Sequence, residues 1–135
     1  MTTTPIALTR ANTILYCQNW EETVHFYRQL LCFPVAFEND WFVEFHLVGS
    51  NYLSIAQAAR ATIAAVAGQG VTLTWQVEDL EGVERFLHRQ GIATTPIRRK
   101  WNARVLYCYD PEGHRLEFWA NHIGQSAAPE EGVRG

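Results

Sequence analysis

The 135-residue chain is 47% hydrophobic and carries a net charge of -3, enough apolar material for one compact core but too little length for two independent domains of ordinary size. Its 11 basic residues are scattered, which excludes the basic stripe of a DNA- or RNA-binding protein, and no apolar run approaches membrane-spanning length. The start, Met-Thr-Thr-Thr-Pro-Ile, has neither the basic nor the apolar region of a signal peptide, so a cytoplasmic location is expected.

Ala11 to Cys17 is rich in β-branched and aromatic residues and reads as a strand. Asn19 and Glu22 are spaced as a capping box, and Trp20, Val24, Tyr27 and Leu31 make one apolar helical stripe after it. Val35 to Phe37, Trp41 to Val48 and Tyr52 to Ala56 then read as three strands separated by the turns Glu38-Asn39-Asp40 and Gly49-Ser50-Asn51. Residues 58 to 70 are a connector with room for one short helix. Beyond it come a strand at Val71 to Val77, an N-cap at Asp79, a helix with Leu80, Val83 and Leu87 inward, and a stop at Gly91. Strands are predicted at Ile92 to Ile97, Ala103 to Tyr109 and His114 to Ala120, and the segment 122–135, poor in large apolar residues, as a mobile tail.

The two halves are one unit written twice. Sixty positions along, Asn12 falls on Thr72, Leu15 on Trp75, Asn19 on Asp79 and Phe26 on Phe86; later the offset becomes sixty-three and carries Ser54 onto Glu117. The predicted fold class is α+β: two βαβββ modules in a single domain 1–135, module one about 9–57 and module two about 71–121, forming a curved, partly open mixed sheet trough with helices outside. Alternation along the strands separates an apolar face for the helices (Leu53, Ile55, Leu73, Trp75, Leu116, Phe118) from a more polar one. The polar phase carries Asn12, Ile14, Tyr16, Tyr52, Ser54, Thr72, Thr74, Gln76, Arg115, Glu117 and Trp119.

Other chemistry-bearing residues are sparse. Cys17, Cys32 and Cys108 contain no C-x-x-C pair, which argues against a disulfide framework and a thiolate zinc site. Glu44 and His46 share a strand face and read either as an acid–base pair or two metal ligands, or as an ordinary surface or edge pair. The only basic cluster, Arg98 to Arg104, surrounds Trp101 and reads either as a solvated hairpin tip or as a clamp for an anionic, aromatic ligand.

The paired modules, Asn19-Trp20 leading to Phe26-Tyr27, Val77-Glu78-Asp79-Leu80, and the run Asp110-Pro111-Glu112-Gly113-His114-Arg115-Leu116-Glu117-Phe118 resemble the glyoxalase, bleomycin-resistance and extradiol-dioxygenase superfamily, the vicinal oxygen chelate fold. The similarity spans about residues 9 to 121, and the Asp-Pro-x-Gly-x-x-x-Glu run is its most specific element. The resemblance implies four paired metal-ligand slots, which here fall on Asn12, Ser54, Thr72 and Glu117; only Glu117 is a competent ligand, so no metal or other cofactor is expected. It also implies a homodimer.

Two functions follow as expectations. One is a metal-independent binding protein, similar to the bleomycin-resistance branch, that sequesters an aromatic or amphipathic small molecule such as an antibiotic. Trp41, Trp101 or Trp119 would stack on the ligand, Glu117 and an arginine (Arg104 or Arg115) would fix its polar group, and Asn12, Tyr16, Tyr52, Ser54, Thr72 and Thr74 would complete the lining. The other is a glyoxalase-like lyase or isomerase in which Glu117 is a metal ligand or a general base. A purely structural domain would leave the polar face unexplained.

Overall fold

The computed structural model describes residues 4–122, so all but the first residue of the expected tail lies outside the described residues. The chain divides into two compact units with the boundary between Ala67 and Gly68. Each is α+β, with one four-stranded mixed sheet. Among the described residues no helix is long and apolar enough to cross a membrane.

In the first unit the strands are β1 (Ala11–Cys17), β2 (Val35–Glu38), β3 (Phe42–Val48) and β4 (Asn51–Gln57), in the order β1-β4-β3-β2. β1 and β4 are parallel, a pairing that requires a crossover, and the helical segment after β1 supplies the first part of it. That segment is not one uniform helix: α1 (Trp20–His25) continues as a π-helical turn, Phe26–Leu30, in which the Leu31 N–H donates to the Phe26 carbonyl at 2.9 Å. Of the expected stripe Val24, Tyr27 and Leu31 are buried and Trp20 is half-buried; Phe26 is buried as well, and the Tyr27 ring lies 6.0 Å from that of Phe45. The expected capping box does not form. Asn19 sits at φ -89°, ψ 59°, away from extended N-cap geometry, and its side chain makes no capping bond; its carbonyl instead accepts from the Thr23 N–H and hydroxyl. Val43, Phe45, Leu53 and Ile55 are fully buried on the face of β3 and β4 that Tyr27 packs against, each contributing about 2 kcal/mol of apolar transfer.

The second unit holds β5 (Thr72–Gln76), α2 (Leu80–Arg89), β6 (Arg98–Lys100), β7 (Ala103–Tyr109) and β8 (Arg115–Asn121), in the sheet order β5-β8-β7-β6 with β5 parallel to β8. The Asp79 carboxylate accepts from the Gly82 N–H at 3.0 Å, as its N-cap position predicts, and Gly91 at φ +79° ends α2 in the left-handed region a side chain would resist. α2 packs on β7 and β8, burying Leu80 and Leu87.

One predicted strand is misplaced. Residues 92–97 form no strand, and the edge strand is instead Arg98–Lys100, inside the basic cluster. Pro96 lacks a ladder donor, and the Thr95 hydroxyl accepts from the Tyr107 N–H at 2.9 Å while the Thr95 N–H donates to the Tyr107 carbonyl. A side chain has taken the place of a ladder partner, and regular pairing begins only at Arg98 opposite Val105.

The Asp-Pro-Glu-Gly turn between β7 and β8 is organised by one carboxylate. Asp110 Oδ1 accepts from the N–H groups of Glu112, Gly113 and His114 at 2.9 to 3.0 Å, and Oδ2 meets His114 Nδ1 at 2.8 Å, all in a buried setting. This run is therefore a folding element, and it fixes where β8 begins.

Candidate functional site

Strand register assembles one polar face in each unit. In the first, Asn12 lies opposite Tyr52 and Ile14 opposite Ser54, while Glu44 and His46 face Ser54 and Tyr52 from β3. Ser54 is fully buried and donates to Asn12 Oδ1 at 2.9 Å. Arg10, one alternation step before Asn12, pairs with Glu44 at 2.6 Å and lies 3.6 Å from the Tyr52 ring centroid. The bond to Glu44 holds the Arg10 guanidinium above its ordinary range. Extending the strand phase back by one step would have found it. Glu44 and His46 share this face but do not bond to each other: His46 Nε2 meets the Gly49 carbonyl at 2.8 Å and its ring stands edge-on to Tyr52. Tyr16 is half-buried opposite Ala56. Trp41 is edge-on to Phe42.

In the second unit Glu117 occupies the middle of the face, between Thr74 on β5 and Tyr107 on β7. It is 1% exposed. The Thr74 hydroxyl donates to Oε1, whereas the buried Oε2 has no hydrogen-bond partner among the described residues. Trp119, Val105 and Ala103 form a buried apolar cluster on the same face, with Tyr107 packed against it. Arg115, expected as the counter-charge of Glu117, makes no ion pair with it. Its Nε donates to Thr72 Oγ1 at 2.9 Å and its guanidinium carbon lies 4.5 Å from the Tyr107 ring centroid. Lys100 Nζ reaches the Tyr107 hydroxyl at 3.4 Å.

Two residues of the basic cluster stand apart from this face. Arg104 is in the opposite strand phase, with Leu106 and Cys108, and its guanidinium is paired with Glu81 of α2. Trp101 is 56% exposed at the tip between β6 and β7, with φ +57°. Burial pushes the Cys108 thiol up to about 12, which disfavours the reactive thiolate.

As a metal centre the donor set fits poorly. Asn12 and Ser54 are bonded to each other, Thr72 accepts from Arg115, and neutral amides and hydroxyls are weak ligands. Among the described residues no three His, Cys, Asp or Glu side chains are grouped to hold an ion.

A family model described as the glyoxalase-like domain matches residues 11–122. The chain belongs to the glyoxalase-like family. Solved structures agree on this fold. A glyoxalase/bleomycin resistance protein/dioxygenase from Nocardioides is similar at TM-score 0.75 and 23% identity, covering 98% of this chain and 93% of that one. A lactoylglutathione lyase from Agrobacterium tumefaciens gives TM-score 0.70 and 19% identity over 87% and 96% of the two chains. An antibiotic binding protein from Streptomyces sp. CB03234 gives TM-score 0.72 and 14% identity over 88% and 99%. At these identities the likeness carries the glyoxalase-like fold alone. No curated protein matches the sequence.

Proposed function

We propose that this glyoxalase-like domain binds an aromatic or amphipathic small molecule without a resident metal ion, and that Glu117 accepts a hydrogen bond from it. The observation that carries this reading is the buried Oε2 of Glu117, which has no partner among the described residues while Oε1 is held by Thr74. An unsatisfied buried acceptor costs about 1–3 kcal/mol, and a ligand donor would remove that cost. Trp119, Val105 and Tyr107 supply the apolar and aromatic wall beside it, a common composition for a small-molecule site. Metal independence is supported by the neutral oxygens at Asn12, Ser54 and Thr72, each already engaged within its own sheet. Sequestration of an antibiotic in the cytoplasm, by a homodimer, is the form this function takes; the antibiotic-binding Streptomyces protein of the same fold supports the ligand class.

The test is a tryptophan-quenching screen of aromatic antibiotics on the dialysed protein with and without chelator, alongside Glu117→Gln, and a calorimetric titration with Zn, Ni, Mn and Fe(II). Saturable quenching that survives chelator and weakens in the variant is the expected result. Stoichiometric metal binding that is lost in Glu117→Gln would overturn it. A second reading is favoured by the same oxygen: Oε2 is free to take a proton, as a general base of a glyoxalase-like lyase or isomerase must. Turnover separates the two, because a binder saturates while an enzyme consumes its substrate.

A further inference from the structure

We propose that the second unit carries an oxyanion site at Arg115, which takes a carboxylate or phosphate group of the ligand. At the end of the face where β8 begins lies a polar pocket of ≈ 370 Å³ whose lining includes Gly68, Gly70, Thr72, Tyr109, Gly113 and Arg115. A free guanidinium in a pocket normally either swings in solvent or is neutralised by a carboxylate. Arg115 does neither. Its Nε is tied to Thr72 Oγ1 and its plane is held near the Tyr107 ring, while Nη1 and Nη2 bond to no other described residue. The fork is thus oriented before any ligand arrives, which lowers the ordering cost of a bidentate contact.

The acidic groups near it do not supply the missing partner. Both oxygens of Asp110 are occupied by three backbone N–H groups and His114, and Glu117 makes no ion pair with Arg115. Thr72 accepts from Arg115 through its oxygen and keeps its own hydroxyl proton to donate, and the exposed Tyr109 hydroxyl is a second neutral donor on the lining. A cation and two hydroxyl donors suit an anion with several acceptor oxygens.

That the oxyanion belongs to the same ligand that meets Glu117 rests on the reading given under Proposed function. The spacing then describes the ligand. Arg115 and Glu117 are two steps apart on β8, with backbones about 6.6 Å apart along the strand, so the ligand carries its anionic group and its hydrogen-bond donor on neighbouring parts of one small molecule.

The test uses the full chain labelled with ¹⁵N, followed through the Arg115 Nε–H signal and the amides of Gly68, Gly70 and Gly113. Inorganic phosphate and acetate are titrated separately, with chloride at matched ionic strength as the control. Saturable shifts with either oxyanion but not chloride, weakened about tenfold or more in Arg115→Gln, are expected. The tighter of the two identifies a tetrahedral or a planar group. Shifts that rise linearly, match chloride or persist in the variant overturn the site. Should Arg115→Gln fail to fold, Thr72→Val decides: it keeps the charge and releases the fork, and unchanged affinity there also overturns the proposal. Antibiotic quenching on the same samples separates the two ideas. Aromatic binding without anion binding removes only the oxyanion site; anion binding without any aromatic ligand removes only the Glu117 reading.

Discussion

Gly68 lies directly against the backbone of Gly113: a Cβ placed on Gly68 would stand 2.6 Å from the Gly113 carbonyl oxygen and collide with the Gly113 carbonyl carbon and the His114 nitrogen as well. The start of the second unit is thereby seated on the turn that Asp110 organises. Neither backbone has a flexible side chain that can yield, and Gly68 also adopts φ +73°. Gly68→Ala should therefore cost about 3 kcal/mol in urea unfolding, from overpacking added to left-handed strain. Gly70, two residues on at φ +83°, has open space where its Cβ would be, so Gly70→Ala should cost only about 1 kcal/mol. Equal losses in the two variants would show that backbone conformation, and not this contact, sets the requirement.

The Arg104–Glu81 pair ties β7 to α2 and makes a pH prediction of definite sign. The hydrogen bond from Arg104 holds the Glu81 carboxyl below its ordinary value of 4.5, and Glu81 in turn raises Arg104. A carboxylate depressed on folding contributes stability that is complete above its unfolded value and is lost as pH falls through the folded one. Glu81→Gln should consequently lower Tm at neutral pH, with the gap to the parent protein closing as pH drops below 4.5. A gap that stays constant into acid would mean that the pair contributes through packing and not through charge.

How far the sequence reached depended on which physical signal each residue obeyed. The repeat and the strand alternation placed Asn12, Ser54, Thr72, Thr74, Arg115 and Glu117 on the polar phase, and the ladders put Asn12 beside Ser54 and Thr74 beside Glu117. Alternation is a property of the backbone, and it survives without knowledge of partners. Arg104 sits among basic loop neighbours in sequence, yet β7 begins at Ala103 and turns it toward α2 with Leu106 and Cys108. The strand expected at Ile92 to Ile97 failed for a related reason. Apolar content there suggested a ladder, while Pro96 and the Thr95 side chain had already removed its regular bonds. Asn19 shows the limit of cap patterns, because a residue type that can cap still needs the backbone angles that aim its side chain. That Oε2 of Glu117 and the fork of Arg115 lack partners among the described residues is a relation between side chains, and no one-dimensional pattern encodes it.

Glu117 offers a way to separate a residue kept for ligand from one kept for folding. It is 1% exposed, and Oε2 has no partner among the described residues, so its carboxylate carries desolvation that a single bond from Thr74 does not offset. Methionine has similar length, no charge and enough torsional freedom to fill the same space. Glu117→Met should raise stability by about 1 kcal/mol in urea unfolding while abolishing the aromatic quenching seen in the parent protein. That opposition is characteristic of a site residue, since selection for folding alone would favour the apolar side chain. A variant that loses both stability and binding would make the carboxylate a structural partner of Thr74, and the case for a ligand at this face would go with it.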